Sequence, residues 1–228
     1  MPATDLLAHS PLEPLLQRAG ATMVARHGWW VAAHFGSPGG ELALCDTAVG
    51  LADRSDLGKL ELRGDPGALE ALVGQLTGGQ VLPGDALLAG GAWWCSVSPH
   101  HVIALADAGG TEAVRSAIAE AVRWTPGVTI TDLTPRQAAL GLLGPATEQL
   151  LGELSAGSLE PADGPAFDVT RLASHPVMLL RETRTRAVIL TDSGRAAALW
   201  ADIDRVGQDA GIGHVGADAV SHLSPLAG

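Results

Sequence analysis

Tyrosine is missing from this 228-residue chain, phenylalanine occurs twice, and lysine once, as Lys59. Thirteen of the 14 basic residues are therefore arginine, scattered rather than clustered, in a chain of net charge -11. Such a surface repels phosphate backbones and argues against nucleic-acid binding. Cys45 and Cys95 are the only cysteines and have no CxxC spacing, so free buried thiols are expected rather than a metal or redox pair. No apolar run reaches the roughly 18–20 residues of a membrane span. The opening MPATDLLAHSPLEP has no basic n-region or apolar h-region, so no secretory signal is read and a cytoplasmic protein is expected. The glycine-rich turns GDPGAL and GLLGPA match neither phosphate-cradling pattern. His100-His101 would point to opposite faces of a strand and cannot easily share a metal, so no metal site is expected.

What is present is a repeated unit: an apolar strand, a turn containing glycine, then an amphipathic helix. It occurs at Lys59–Gly64 into Asp65–Leu76, at His101–Asp107 into Thr111–Trp124, at Ala139–Gly144 into Ala146–Leu154, and at Ala187–Thr191 into Arg195–Val206. With 46% hydrophobic residues the chain can bury a substantial core. Strand-only stretches (Thr22–His34, Ala86–Val97, Val128–Leu133) interrupt the repeats. That pattern predicts an α+β fold with mixed, largely antiparallel sheets and packed helices, and disfavours a doubly wound parallel sheet.

In detail, Leu12–Ala19 reads as a helix, Ser37–Gly40 as a loop, Glu41–Val49 as a helix stopped by Gly50, and Leu51–Gly58 as a turn. In Lys59–Arg63, Leu60 and Leu62 take the buried face and Lys59, Glu61 and Arg63 the other. Thr111 and Asp192 or Ser193 are read as N-caps. Residues 1–9 form an arm and 10–228 one fold, with a Gly/Pro-rich acidic linker near 157–167.

Four groups of residues could carry chemistry. Asp46, Asp53 and Asp56 cluster around Arg54 and Ser55, either as a base or cation site or as a loop whose side chains satisfy backbone donors. Trp29-Trp30 and Trp93-Trp94 each place one ring in the core and one outward. The outward members, Trp30 and Trp94, would line a pocket for a planar ligand or sit in a subunit interface. RETRTR (Arg181–Arg186) could grip a carboxylate or form a solvated face.

Three segments taken together, SPLEPLLQRAGATMVARHGWWVAAHFGS, GLADRSDLGKLELRG and LTPRQAALGLLGPATEQLL, resemble the folate-binding aminomethyltransferase superfamily of the glycine-cleavage T-protein. The matching positions are Gly50, Leu51, Asp53, Ser55, Gly58, Lys59 and Gly64, then Leu140, Leu142, Gly144 and Pro145. The resemblance implies an aminomethyltransferase-like folate-binding fold without the family's C-terminal barrel domain, and a tetrahydrofolate cofactor. It also implies an acidic residue after a Gly-Gly turn, where this chain has Ala92 and Trp93, and a pterin-binding glutamate for which Glu182 is the substitute. An expected arginine near GHVGADAVSHL is absent. This site-poor form is similar to the gamma subunit of heterotetrameric sarcosine oxidases. It implies an accessory subunit of a hetero-oligomer with larger protein partners, in folate-linked one-carbon or N-methyl amine metabolism. The alternative is an independent tetrahydrofolate-dependent transferase or demethylase using Asp53 or Asp56 as base, with Trp30, Trp94 and Glu182 holding the cofactor.

Overall fold

The computed structural model describes residues 7–157, 159–160 and 162–226. The N-terminal part is β1 (Ala8–His9), α1 (Glu13–Arg18), β2 (Thr22–Arg26) and β3 (Trp29–His34). Glu13 and Arg18 complement the dipole at the two ends of α1. The β2–β3 hairpin closes through His27 and Gly28, both at positive φ (46° and 79°), the conformation a two-residue hairpin turn needs. With β1 parallel to β3, these strands make a small sheet in the order β1-β3-β2.

α2 (Pro38–Thr47) starts three residues before the expected helix. The Ser37 hydroxyl accepts from Gly40 N at 3.3 Å, and Pro38 sits in the first turn, where its missing N–H costs nothing. The helix ends at Thr47, and the expected turn after it begins instead as a strand, β4 (Val49–Asp53). Its first four residues are buried, as in a strand covered on both faces.

A five-stranded antiparallel sheet follows: β5 (Gly58–Gly64), α3 (Pro66–Thr77), β6 (Ala86–Ala89), β7 (Ala92–Ser98), β8 (His101–Ala106), α4 (Thr111–Arg123) and β9 (Val128–Asp132), in the order β6-β7-β8-β5-β9. Asp65 caps α3, accepting from Gly67 N at 3.0 Å and Ala68 N at 3.3 Å. Thr111 does not cap α4: Gly110 takes that position, and the Thr111 hydroxyl donates to Asp107 O.

The remaining elements are β10 (Gln137–Leu143), α5 (Thr147–Leu154), β11 (Ala166–Leu172), β12 (His175–Thr183), β13 (Arg186–Asp192), α6 (Ala196–Val206), β14 (Ile212–His214) and α7 (Ala217–Leu223). They build a six-stranded sheet in the order β11-β12-β13-β10-β4-β14. Asp192 accepts from Gly194 N at the turn into α6. Ser158 and Pro161 of the expected linker lie outside the described residues, and its last two residues already belong to β11.

The four repeats thus fall into two pairs. β5-α3-β7-β8-α4-β9 and β10-α5-β12-β13-α6-β14 both trace a β-α-β-β-α-β path; in the second, β4 is wedged between β10 and β14. Helices α3 and α4 cover one face of the five-stranded sheet, and α1, α5 and α6 one face of the six-stranded sheet. Between the sheets lies a third apolar layer, with Trp93, Cys95, Ile103 and Leu105 against Ala139, Phe167, Leu180, Val188 and Leu190. This double cover revises two expectations. Lys59 faces the intersheet layer and is completely buried, and Trp93 and Trp94 are both buried although they point to opposite faces. No helix among the described residues is long and apolar enough to cross a membrane.

Candidate functional site

The chain changes sheets through Arg54–Leu57, between β4 and β5, and returns through Leu133–Arg136, between β9 and β10. The two crossovers are stitched together: Lys59 N donates to Thr134 Oγ1 (2.9 Å), Leu133 N to Lys59 O (2.8 Å), Arg54 N to Ala139 O (2.8 Å) and Ala139 N to Ser55 Oγ (3.3 Å). The Lys59 ammonium donates to Ser55 O (2.9 Å) and Leu57 O (2.8 Å), closing the first crossover from beneath. Burial lowers its pKa to about 8, against the pull of Asp56, Asp53 and Asp132.

A stability test follows from that shift. Between about pH 8 and the ordinary lysine value, the unfolded chain binds a proton that the native chain does not, so this group makes stability rise with pH. The buried thiols act oppositely, Cys45 being pushed up to about 11 and Cys95 well above its ordinary value. They cancel in a comparison with Lys59→Met. The stability of wild type relative to that variant should rise by about 1 kcal/mol from pH 8 to 9, read by urea unfolding; a flat difference would exclude a neutral buried amine.

Above the crossover lies a cleft of about 90 Å³, walled by Asp53, Arg54 and Asp56, by Asp107, by Arg26, His27 and Val31 of the hairpin, and by α7. Arg54, 8% exposed, holds Asp107 at 2.8 Å and lies 3.6 Å from Asp56. Burial raises the pKa of Asp53, opposed by the Ser10 and Ser55 hydroxyls and the Ser55 N–H, while Asp56 raises it further. A desolvated carboxyl of this kind can take or give a proton to a group within hydrogen-bond reach.

Arg54 links the cleft to a deeper group. The Glu182 carboxyl is buried on β12, 3.3 Å from Arg186 Nε. Burial raises its pKa against the opposing charges of Arg186 and Arg54. The Trp93 indole lies beside it, with Nε1 buried short of hydrogen-bond geometry. The structure therefore brings Asp53 and Asp56 together and joins Glu182 to them through Arg54. The two tryptophans singled out are elsewhere. Trp94 packs under α3 and α4 with its N–H on Ala89 O, and Trp30 is on the face of β3 opposite Val31, outside the cleft wall.

The arginines of RETRTR meet carboxylates of this chain: Arg181 with Asp168 at 2.8 Å, Arg184 with Glu148 at 3.8 Å, and Arg186 with Glu182. Two of them rim a larger hollow, about 450 Å³, between α5 and the β12–β13 hairpin. Sequence reasoning missed Asp107 and His27 as cleft residues. Asp107 is 53 residues from Arg54 and only the sheet pairing unites them; His27 carried a turn signal and nothing more.

Residues 12–224 match the family model described as the GCVT N-terminal domain. An aminomethyltransferase of Mycobacterium tuberculosis is 32% identical over 162 residues, which are 65% of this chain and 43% of that protein; one from Mycobacterium leprae is 31% identical over the same length. The chain thus spans less than half the length of the curated relatives it matches. Among solved structures, the glycine cleavage system aminomethyltransferase T from Bartonella henselae superposes with a TM-score of 0.76 at 17% identity, covering 95% of this chain and 62% of that one. A chain of the heterotetrameric sarcosine oxidase from Corynebacterium sp. U-96 gives 0.65 at 21% identity, covering 88% of this chain and 94% of that one. Both are likenesses of fold.

Proposed function

The chain belongs to the GCVT N-terminal domain family, and from that premise we propose that it is an accessory or structural subunit of a folate-linked one-carbon or N-methyl amine enzyme, of the sarcosine-oxidase kind, with a degenerate tetrahydrofolate site. Trp93 carries the reading. Where the family resemblance calls for a carboxylate, this chain buries an indole, 4% exposed, in the apolar layer between its sheets. A buried pterin presents polar edges that each cost about 1–3 kcal/mol when unmatched. The groups near Trp93 are already committed, Arg54 to Asp107 and Glu182 to Arg186. The cleft, about 90 Å³, is well below the roughly 300 Å³ at which small-molecule pockets begin. The residues present do not fit tetrahydrofolate. The larger hollow has the size, but its two rim arginines are paired internally and add little directed recognition. The same reading makes larger protein subunits the partners and the cytoplasm the compartment.

Titration calorimetry of the purified chain with tetrahydrofolate, reduced and anaerobic, should give no binding heat. Co-expression with the larger subunits of a sarcosine oxidase should give a complex that survives gel filtration. A micromolar one-to-one signal from the chain alone would overturn the degenerate site. It would favour the second reading, a free-standing tetrahydrofolate-dependent transferase or demethylase, for which the desolvated Asp53 in the cleft wall is the supporting observation.

A further inference from the structure

β9 ends the five-stranded sheet, and no strand lies beside its outer edge. Two contacts fix the phase of its hydrogen bonds. Gly64 N donates to His100 O and Leu133 N to Lys59 O, so even-numbered residues of β5 bond to β8 and odd-numbered ones to β9. Thr129, Thr131 and Leu133 therefore bond to β5, while the N–H and C=O groups of Val128, Ile130 and Asp132 point outward. Among the described residues those backbone groups have no hydrogen-bond partner. Other sheet edges are blunted. β6 and β11 tie each other down, through Ala86 N to Pro165 O and Phe167 N to Gly84 O. β2 carries a register shift, and β1 and β14 are two and three residues long. β9 reads VTITD, with no register shift, lysine or proline. On one face Val128 and Ile130 pack under α4; on the other, Thr129 and Thr131 are exposed.

We propose that β9 pairs with β9 of a second copy of this chain, antiparallel about a two-fold axis at Ile130, joining the two five-stranded sheets into one. In that register Ile130 faces Ile130 of the second copy and Val128 faces its Asp132, so every outward N–H and C=O finds a partner. Between those pairs Thr129 meets Thr131 of the second copy at the closer spacing of a non-hydrogen-bonded pair, a favourable cross-strand match. The helices above agree with the same axis. Arg115 of α4 holds Asp132 at 2.7 Å. Asp132 lies two strand residues from the axis, about 7 Å, which equals about four to five residues of helix. The axis thus passes α4 near Ala119, and the antiparallel α4 of the second copy brings its Arg115 opposite Trp124. Trp124 is 79% exposed, more than any other large apolar side chain among the described residues. In the dimer its ring gains a guanidinium to stack on. Symmetry supplies each of these matches twice from a single surface, which a strand of another protein does not. The dimer goes beyond the accessory role proposed above and does not depend on folate.

Sedimentation of the purified chain should show a dimer at ~100 μM that dissociates toward ~1 μM, as suits a small interface. Hydrogen exchange at the two concentrations locates the contact. The amides of Val128, Ile130 and Asp132 should slow about threefold or more at the higher one, with those of Thr129 and Thr131, already bonded to β5, little changed. Two double variants test the register. Within the chain Thr129 lies opposite Arg63 and Thr131 opposite Glu61. Thr129→Lys with Thr131→Lys sets like charges against each other across the axis and should weaken the dimer about tenfold. Thr129→Glu with Thr131→Lys sets opposite charges together and should stay within about threefold of wild type. A monomer at every concentration, slowing confined to other amides, or equal effects of the two variants would overturn the proposal. The exchange pattern of the unsubstituted chain decides even where a variant fails to fold.

Discussion

Replacing Arg54 with alanine should cost the fold about 3–5 kcal/mol, the range for breaking a buried ion pair from one side. The guanidinium is 8% exposed and stands among three carboxyls, Asp56 on its own crossover and two from distant segments, Asp107 at the end of β8 and Glu182 on β12. Its removal takes the counter-charge from Asp56 and Asp107 and leaves the buried Glu182 to Arg186 alone. The aliphatic stem matters as well, because it packs on Gly141, where a Cβ would come to 3.3 Å from Arg54 Cγ. Lysine at position 54 should restore only part of the loss, since a point charge cannot reach two carboxylates as a planar fork does. Acid supplies the control on mechanism. If unpaired carboxylates cause the deficit, protonating them relieves it, so the gap between wild type and Arg54→Ala should narrow from pH 7 to pH 5 in urea unfolding. A gap that does not change with pH would assign the loss to packing alone.

The cluster around Arg54 also shows how far the sequence is legible. Asp53 and Asp56 stand out because they are close in sequence; their counter-charge partner Asp107 belongs to another strand, and no local signal marks it. The four strand–helix units are readable because each carries its own periodicity and its own stop, and they become the two halves of the fold. β4 was not readable. Its Gly50 looks like a turn, yet glycine is there because a Cβ would lie 2.7 Å from Cys45 Sγ and 2.9 Å from Val215 Cγ1. β11 and β12 were hidden by a Gly/Pro-rich approach and by Pro176, which as a residue within a strand argues against one. Trp93 and Trp94 alternate as a strand demands, yet neither ring faces solvent, because a strand between a helix layer and a second sheet has no outward face. One sequence cannot reveal the second sheet.

The L-x-L-x-G-P turn, part of the family resemblance, gives the other large effect: Gly144→Ala should leave little folded protein, with a loss above about 4 kcal/mol. Gly144 has φ 131°, a region that side chains rarely adopt. A Cβ there would sit 2.3 Å from Ala48 O and 2.9 Å from Cys45 O, both backbone atoms at the end of α2 that cannot rotate away. Around this point three elements meet. Gly144 N donates to Thr185 O of the β12–β13 turn at 2.8 Å, Ala146 N to Ala48 O at 3.3 Å, and Thr147 N to Gly144 O at 3.1 Å. Moving the turn aside to fit a methyl group would pull α5 from the outer face of the six-stranded sheet. Gly152, inside α5 with nothing within 4 Å of its would-be Cβ, offers the contrast. Gly152→Ala should gain about 0.5–1 kcal/mol, because a helical glycine mainly costs unfolded-state entropy. Circular dichroism and urea unfolding of the two variants would separate the cases. If Gly144→Ala folds with near-native stability, the close approach of this turn to α2 is wrong. If it fails as expected, the motif in this chain is explained by a steric demand at a three-element junction, without any ligand. That outcome agrees with a protein that keeps its family's framework while an indole fills the position where the resemblance calls for a carboxylate.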